Sequence, residues 1–271
     1  MWETLKKRSQ AQVAILLFFV LTLWWIVCIY ALGSESKRFF GDFASIYGVM
    51  ALFGAVCGIG IAFKWGGLKS VMGKAILLFS FGLLAQEFGQ ITYAYFSFFQ
   101  HIDVPYPSLG DLGYFGSIPL YILGVLYLGK ASGVKLGTSS LSSKLQAIII
   151  PIVMLAVGYI LFLQNYTFDQ SNLLKTLLDF GYPLGQAIYI SLAILTYLLS
   201  KHVLGGIMKN KLLFILFALC VQFLCDYTFL YQSSRGTWSA GGVNDYMYLI
   251  AYFVMTIGLI QFGIVLSKLR N

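Results

Sequence analysis

Carboxylates and carboxamides set inside apolar stretches are the residues of this chain best placed to do chemistry. Gln86, Glu87 and Gln90 fall in one such stretch, Gln222 and Asp226 in another, and Asp179 in a third. Each group is costly in hydrocarbon, so it must turn towards protein or a water-filled cavity. Gln86 with Gln90, and Gln222 with Asp226, are spaced i, i+4, so each pair points in one direction from its helix. Glu87 sits about 100° around from Gln86 and joins that face through Gln90. Two readings of the pattern stay open. Either these groups hydrogen-bond between helices and hold a bundle together, or they wall a polar cavity for a small ligand, a cation or a proton.

A second recurrence concerns aspartate. The chain reads Gly41-Asp42-Phe43, Gly110-Asp111-Leu112, Leu178-Asp179-Phe180 and Asn244-Asp245-Tyr246, and Tyr114, Tyr182 and Tyr248 each follow an Asp by three positions. An Asp in the first turn of a helix complements the free amides and the macrodipole there, which accounts for Asp42, Asp111 and Asp245. Ser108-Leu109-Gly110-Asp111 has capping-box spacing with Asp in the acidic place. Asp179 is different. With Ser171 as cap it lies two turns inside its helix beside Gly181, Pro183 and Gly185, where a kink with freed carbonyls is expected. A buried carboxylate at a broken helix is where transporters and receptors hold ligands, so Asp179 ranks above the other three aspartates of this recurrence.

The candidate ligand-binding set is therefore Gln86, Glu87, Gln90, Tyr93, Asp111, Tyr114, Asp179, Tyr182, Gln222, Asp226, Asp245 and Tyr248. Tyr93, Tyr95, Phe96, Phe98 and Phe99 are expected to add an aromatic wall for a flat or lipid-like molecule.

The elements that must position these side chains follow from composition. Hydrophobic residues make up 59% of the 271 residues and charged ones 10%, which places the chain among all-α, polytopic membrane proteins. Eight transmembrane helices are predicted: Gln12 to Leu32, Phe43 to Phe63, Ala75 to Phe99, Leu112 to Leu128, Leu145 to Leu163, Leu173 to Leu199, Leu212 to Tyr231 and Met247 to Val265. The first is read as a retained helix, because no small-residue cleavage pattern follows it.

Shifted by roughly 136 positions, the chain lays over itself at its rare polar residues. Asp42 falls on Asp179, Lys64 on Lys201, Gln86 on Gln222, Gln90 on Asp226, Asp111 on Asp245 and Tyr114 on Tyr248. This predicts a 4+4 internal repeat, 1–137 and 138–271, forming one membrane domain. Four spans per copy leave both copies in the same orientation, with a pseudo-two-fold axis along the membrane normal and a pocket between the halves.

The formal charge of +8 is a topology signal and not a nucleic-acid one. In an eight-span chain most lysines and arginines fall on one side, with Lys37, Arg38, Lys175 and Arg235 on the other. That asymmetry puts both termini in the cytoplasm of a cell-membrane protein, with lipid as the general partner of the inner lysines. The acids run the opposite way, Glu35 and Asp169 included, so function is expected in the outer half.

Other chemistries fit poorly. His101 and His202 lie near span ends, which disfavours haem. The last span has no lysine for a retinal Schiff base, and Cys28, Cys57, Cys220 and Cys225 show no metal spacing. No enzyme signature and no cofactor are expected.

The segment Pro105-Tyr106-Pro107-Ser108-Leu109-Gly110-Asp111-Leu112-Gly113-Tyr114 resembles the Pro-aromatic-Pro-Ser-x-x-Asp-x-x-Tyr stretch in the multi-helix N-terminal membrane regions of bacterial and archaeal histidine kinases and diguanylate cyclases. Asp226-Tyr227 and Asn244-Asp245-Tyr246-Met247-Tyr248 are similar to their final two helices. The resemblance implies an integral sensory module coupled to a cytoplasmic signalling partner or an output domain. No output follows Leu269, and His202 lacks the acidic neighbour of a phosphoacceptor box. The expectation is a stand-alone relative or a segment cut ahead of its output. Two functions stay open: a sensory, ligand-binding module for a small or lipophilic signal, or a small secondary transporter with carboxylates coupling a cation or proton. The oligomeric state is left open as well.

Overall fold

The computed structural model describes residues 9–30, 36–133, 141–164, 166, 170–200 and 207–270. Glu35, Asp169, Lys201 and His202 lie outside the described residues. Among those described, the fold is all helical, and eight helices are long and apolar enough to cross a membrane. They occupy Ser9–Tyr30, Phe39–Lys64, Val71–Gln100, Gly110–Ala131, Lys144–Leu163, Leu173–Leu199, Asn210–Ser234 and Val243–Leu269. All eight predicted spans are present, and most extend a few residues further because polar turns at their ends remain helical.

The helices are α1 (Ser9–Tyr30), α2 (Ser36–Ile46), α3 (Val49–Lys64), α4 (Val71–Ala94), α5 (Leu109–Ala131), α6 (Leu141–Gly158), α7 (Leu173–Ser200), α8 (Ile207–Ser234) and α9 (Val243–Arg270). The turn Tyr47–Gly48 divides the second span into α2 and α3. A π-helical turn, Tyr95–Gln100, ends α4, and another, Tyr159–Leu163, ends α6. Such turns widen the helix and re-aim the side chains that follow.

Local sequence explains several ends. Ser70 caps α4 by accepting the Gly73 amide at 2.8 Å. The predicted capping box at α5 is formed: Ser108 Oγ accepts Gly110 N at 3.1 Å, and Asp111 Oδ2 accepts Ser108 N at 2.7 Å. At α7 the cap is Asn172, not Ser171, since Asn172 Oδ1 accepts Lys175 N at 3.0 Å. Asp42 is not in a first turn, because α2 begins at Ser36. Helix α7 runs through Pro183 without interruption.

Packing is tightest where glycines let backbones approach. Gly82 and Gly89 of α4 receive the rings of Tyr121 and Tyr114 from α5, and Gly113 of α5 rests on the backbone of Ala85 and Gly89. Small residues at helix interfaces serve this purpose in membranes. Helix α4 lies between α3 and α5, and α8 between α7 and α9; α5 packs on α7, and α9 on α3. Helix α6 leans on α7, and α1 on α9, α2 and α3. Trp25 of α1 donates to Gly241 O at 2.9 Å and stacks on Tyr246, which fixes α1 to the α8–α9 loop. Trp65 donates to Phe262 O at 3.1 Å and ties the C-terminal parts of α3 and α9 together. Helix α9 is the most enclosed span and α6 the most exposed.

Candidate functional site

The C-terminal ends of α4 and α8 and the N-terminal ends of α5, α7 and α9 gather at one end of the bundle. There they enclose a cavity of about 680 Å³, a size usual for small-molecule sites. The other end carries Lys64, Lys74, Lys130, Lys144, Lys211 and Lys268. The 104–108 loop and Trp238 of the α8–α9 loop also line the cavity.

Each carboxylate on the wall is held by neutral donors. Asp179 Oδ1 accepts the Tyr106 hydroxyl and Oδ2 the Tyr166 hydroxyl, both at 2.7 Å. Burial of the Tyr106 hydroxyl, then its bond to the Asp179 carboxylate, pushes that phenol well above its ordinary pKa, so it remains a donor. Asp111 Oδ1 accepts Tyr182 Oη at 2.7 Å while Oδ2 closes the cap of α5. Asp245 Oδ2 accepts Gly241 N at 2.6 Å at the start of α9. Asp226 takes three side-chain donors: Oδ1 accepts Gln222 Nε2 at 3.0 Å and Tyr248 Oη at 2.9 Å, and Oδ2 accepts Tyr189 Oη at 3.1 Å.

Carboxamides knit the floor. Gln86 Nε2 donates to Ser117 Oγ at 2.8 Å, and its Oε1 accepts Tyr252 Oη at 3.1 Å from α9. Gln90 Oε1 accepts Tyr114 Oη at 3.0 Å, and its amide donates to Ala44 O of α2. Charge-assisted and cooperative bonds of this kind rigidify a buried network.

Of the candidate set, Gln86, Gln90, Tyr93, Asp111, Tyr114, Asp179, Tyr182, Asp226, Asp245 and Tyr248 all line this one cavity. Glu87 and Gln222 do not. Glu87 is buried against the Gly48 turn, with Oε2 lacking a hydrogen-bond partner; the 100° offset from Gln86 sends it to α2 and α3 instead. Gln222 stands behind the wall and serves Asp226. The expected aromatic wall is also narrower than the sequence suggested. Tyr93 faces the cavity, whereas Tyr95, Phe98 and Phe99 are exposed on the π-helical turn's outer side.

Several wall residues escaped the sequence reading. Tyr106, Tyr166 and Trp238 come from loops, where no helical period assigns a direction. Gln186, Ser117 and Tyr252 did carry a signal. Gln186 is seven residues from Asp179, Tyr252 seven from Asp245, and Ser117 three from Tyr114, all same-face spacings. Among the described residues no group of three or more His, Cys, Asp or Glu could hold a metal ion.

Comparison of the chain with protein-family models, curated proteins and solved structures finds no match.

Proposed function

We propose that this protein is a membrane sensory module whose cavity binds a small ligand from the outer side and passes the change to a cytoplasmic partner. The observation that carries the reading is the cavity itself, in which polar side chains from six spans converge on one space of about 680 Å³. The lysine-rich end lies opposite, and the positive-inside rule turns that end to the cytoplasm and the cavity outward. Both termini are then cytoplasmic.

A four-plus-four duplication is supported by how the helices pair. The α4–α5 contact has its counterpart in α8–α9, α3–α4 in α7–α8, and α5–α7 in α9–α3. Even single bonds recur: Tyr114 donates to Gln90 as Tyr248 donates to Asp226, and both partners in each bond are equivalent under the sequence shift. Ligand in a cavity built across such halves would alter their relative packing, a difference a cytoplasmic partner can read.

The test uses purified full-length protein in detergent and in proteoliposomes. A thermal-shift screen of small molecules should yield ligands that stabilise the wild type but not Leu230→Trp, which fills the cavity from its half-buried apolar wall. A bound ligand should change the distance between spin labels at Lys130 and Lys268 without accumulating inside vesicles. Concentrative uptake would overturn the sensory reading in favour of transport. Stabilisation that survives Leu230→Trp would remove the cavity from the proposal.

A further inference from the structure

The geometry points to an organic cation bearing N–H donors, an amine joined to a flat apolar body, as the ligand class of this cavity; the inference rests on the cavity reading above. Three separate features of the wall agree on it.

The first is the direction of the hydrogen bonds. Tyr106, Tyr166, Tyr182 and Tyr248 each donate their O–H to a carboxylate. Tyr114 and Tyr252 donate to glutamine carbonyls. With their protons engaged, these hydroxyls offer the cavity lone pairs, so the polar wall presents acceptors to a ligand. Lys175 and the Trp238 indole N–H, which is set beside Asp245, are donors on the other side of the balance, and they are outnumbered.

The second is charge. Four carboxyl groups, Asp111, Asp179, Asp226 and Asp245, line the cavity against one ammonium, that of Lys175. Tyrosines orient Asp111, Asp179 and Asp226 and bring no counter-charge. The acids stand on α5, α7, α8 and α9, and no three of them converge as a metal ion would need. Acidic groups spread over a space of this volume suit a larger cation.

The third is an orphan acceptor. Gln186 is 4% exposed and lines the cavity, and its Oε1 has no hydrogen-bond partner. A buried carbonyl without a donor is costly. An N–H brought by a ligand would satisfy it. Nearby, Trp238 meets Tyr93 edge to face at 6.2 Å and Phe229 at 5.8 Å. These rings form an aromatic wall whose faces attract cations as well as flat hydrocarbon.

Three probes of near-constant shape separate charge from shape: tryptamine, its alcohol analogue tryptophol, and the anion indole-3-acetate. Binding to the full chain in detergent is measured by titration calorimetry. Tryptamine should bind about tenfold tighter than tryptophol, and indole-3-acetate weakest, as one cation–π contact with a charge-assisted bond supplies. Asp179→Asn should weaken tryptamine several-fold and leave tryptophol within about twofold, since only the charged probe senses the lost carboxylate. Equal affinity for amine and alcohol, preference for the acid, or no binding of any probe overturns the cation class. If that happens while Leu230→Trp still abolishes binding of another ligand, the cavity reading stands and the ligand class alone has failed.

Discussion

Asp226 accepts three hydrogen bonds inside the bundle, and its removal should be the most destabilising polar change in the chain. Truncation by Asp226→Ala orphans Tyr189 Oη, Gln222 Nε2 and Tyr248 Oη together. Interhelical hydrogen bonds in membrane proteins contribute about 0.6 kcal/mol each and at most about 1.7, so three give a loss of about 2–5 kcal/mol. Asp226→Asn should cost far less. Its carbonyl oxygen can take the Oδ1 position and keep Gln222 and Tyr248, and its amide N–H can donate to Tyr189 Oη in the reverse sense, so at most one bond is lost, about 0.6–1.7 kcal/mol. Equilibrium unfolding in mixed micelles gives both values. The reasoning is refuted if Asp226→Ala unfolds within about 0.5 kcal/mol of the wild type, the range of inert surface changes, or if Asp226→Asn costs as much as Asp226→Ala.

Other consequences follow from contacts elsewhere. Gly113→Ala should destabilise by about 1–3 kcal/mol in the same assay, because its new methyl meets the rigid backbone of Ala85 and Gly89. Gly116→Ala, three residues along the same helix with nothing within 4 Å of a Cβ, should be neutral or stabilising by up to about 1 kcal/mol. Asp179→Ala removes the carboxylate that accepts the Tyr106 and Tyr166 hydroxyls. Hydrogen exchange should then quicken at residues 102–108, with the middle of α4 unchanged; equal rates in variant and wild type would show that the loop is not held by that bond. Cysteines placed at Arg235 and Lys130 test orientation in intact cells: a membrane-impermeant maleimide should label the first and not the second, and the reverse pattern would invert the topology.

The eight spans were legible in the sequence because length and apolarity are properties of consecutive residues, and the bilayer sets one threshold for both. The cap of α5 was legible for a related reason, as Ser108 and Asp111 are three residues apart and meet whatever the rest of the chain does. Helical period also picked out residues that share a cavity wall, since residues four apart share a direction. Period gives a direction, however, and never the neighbour that stands there. That Tyr252 would reach Gln86 across 166 positions, that Tyr182 would find Asp111 across 71, and that Glu87 would turn to the Gly48 turn and away from the cavity were decided by which helices lie side by side. Those distances between partners depend on the packing of whole spans, so the tertiary structure alone determined which acid meets which hydroxyl.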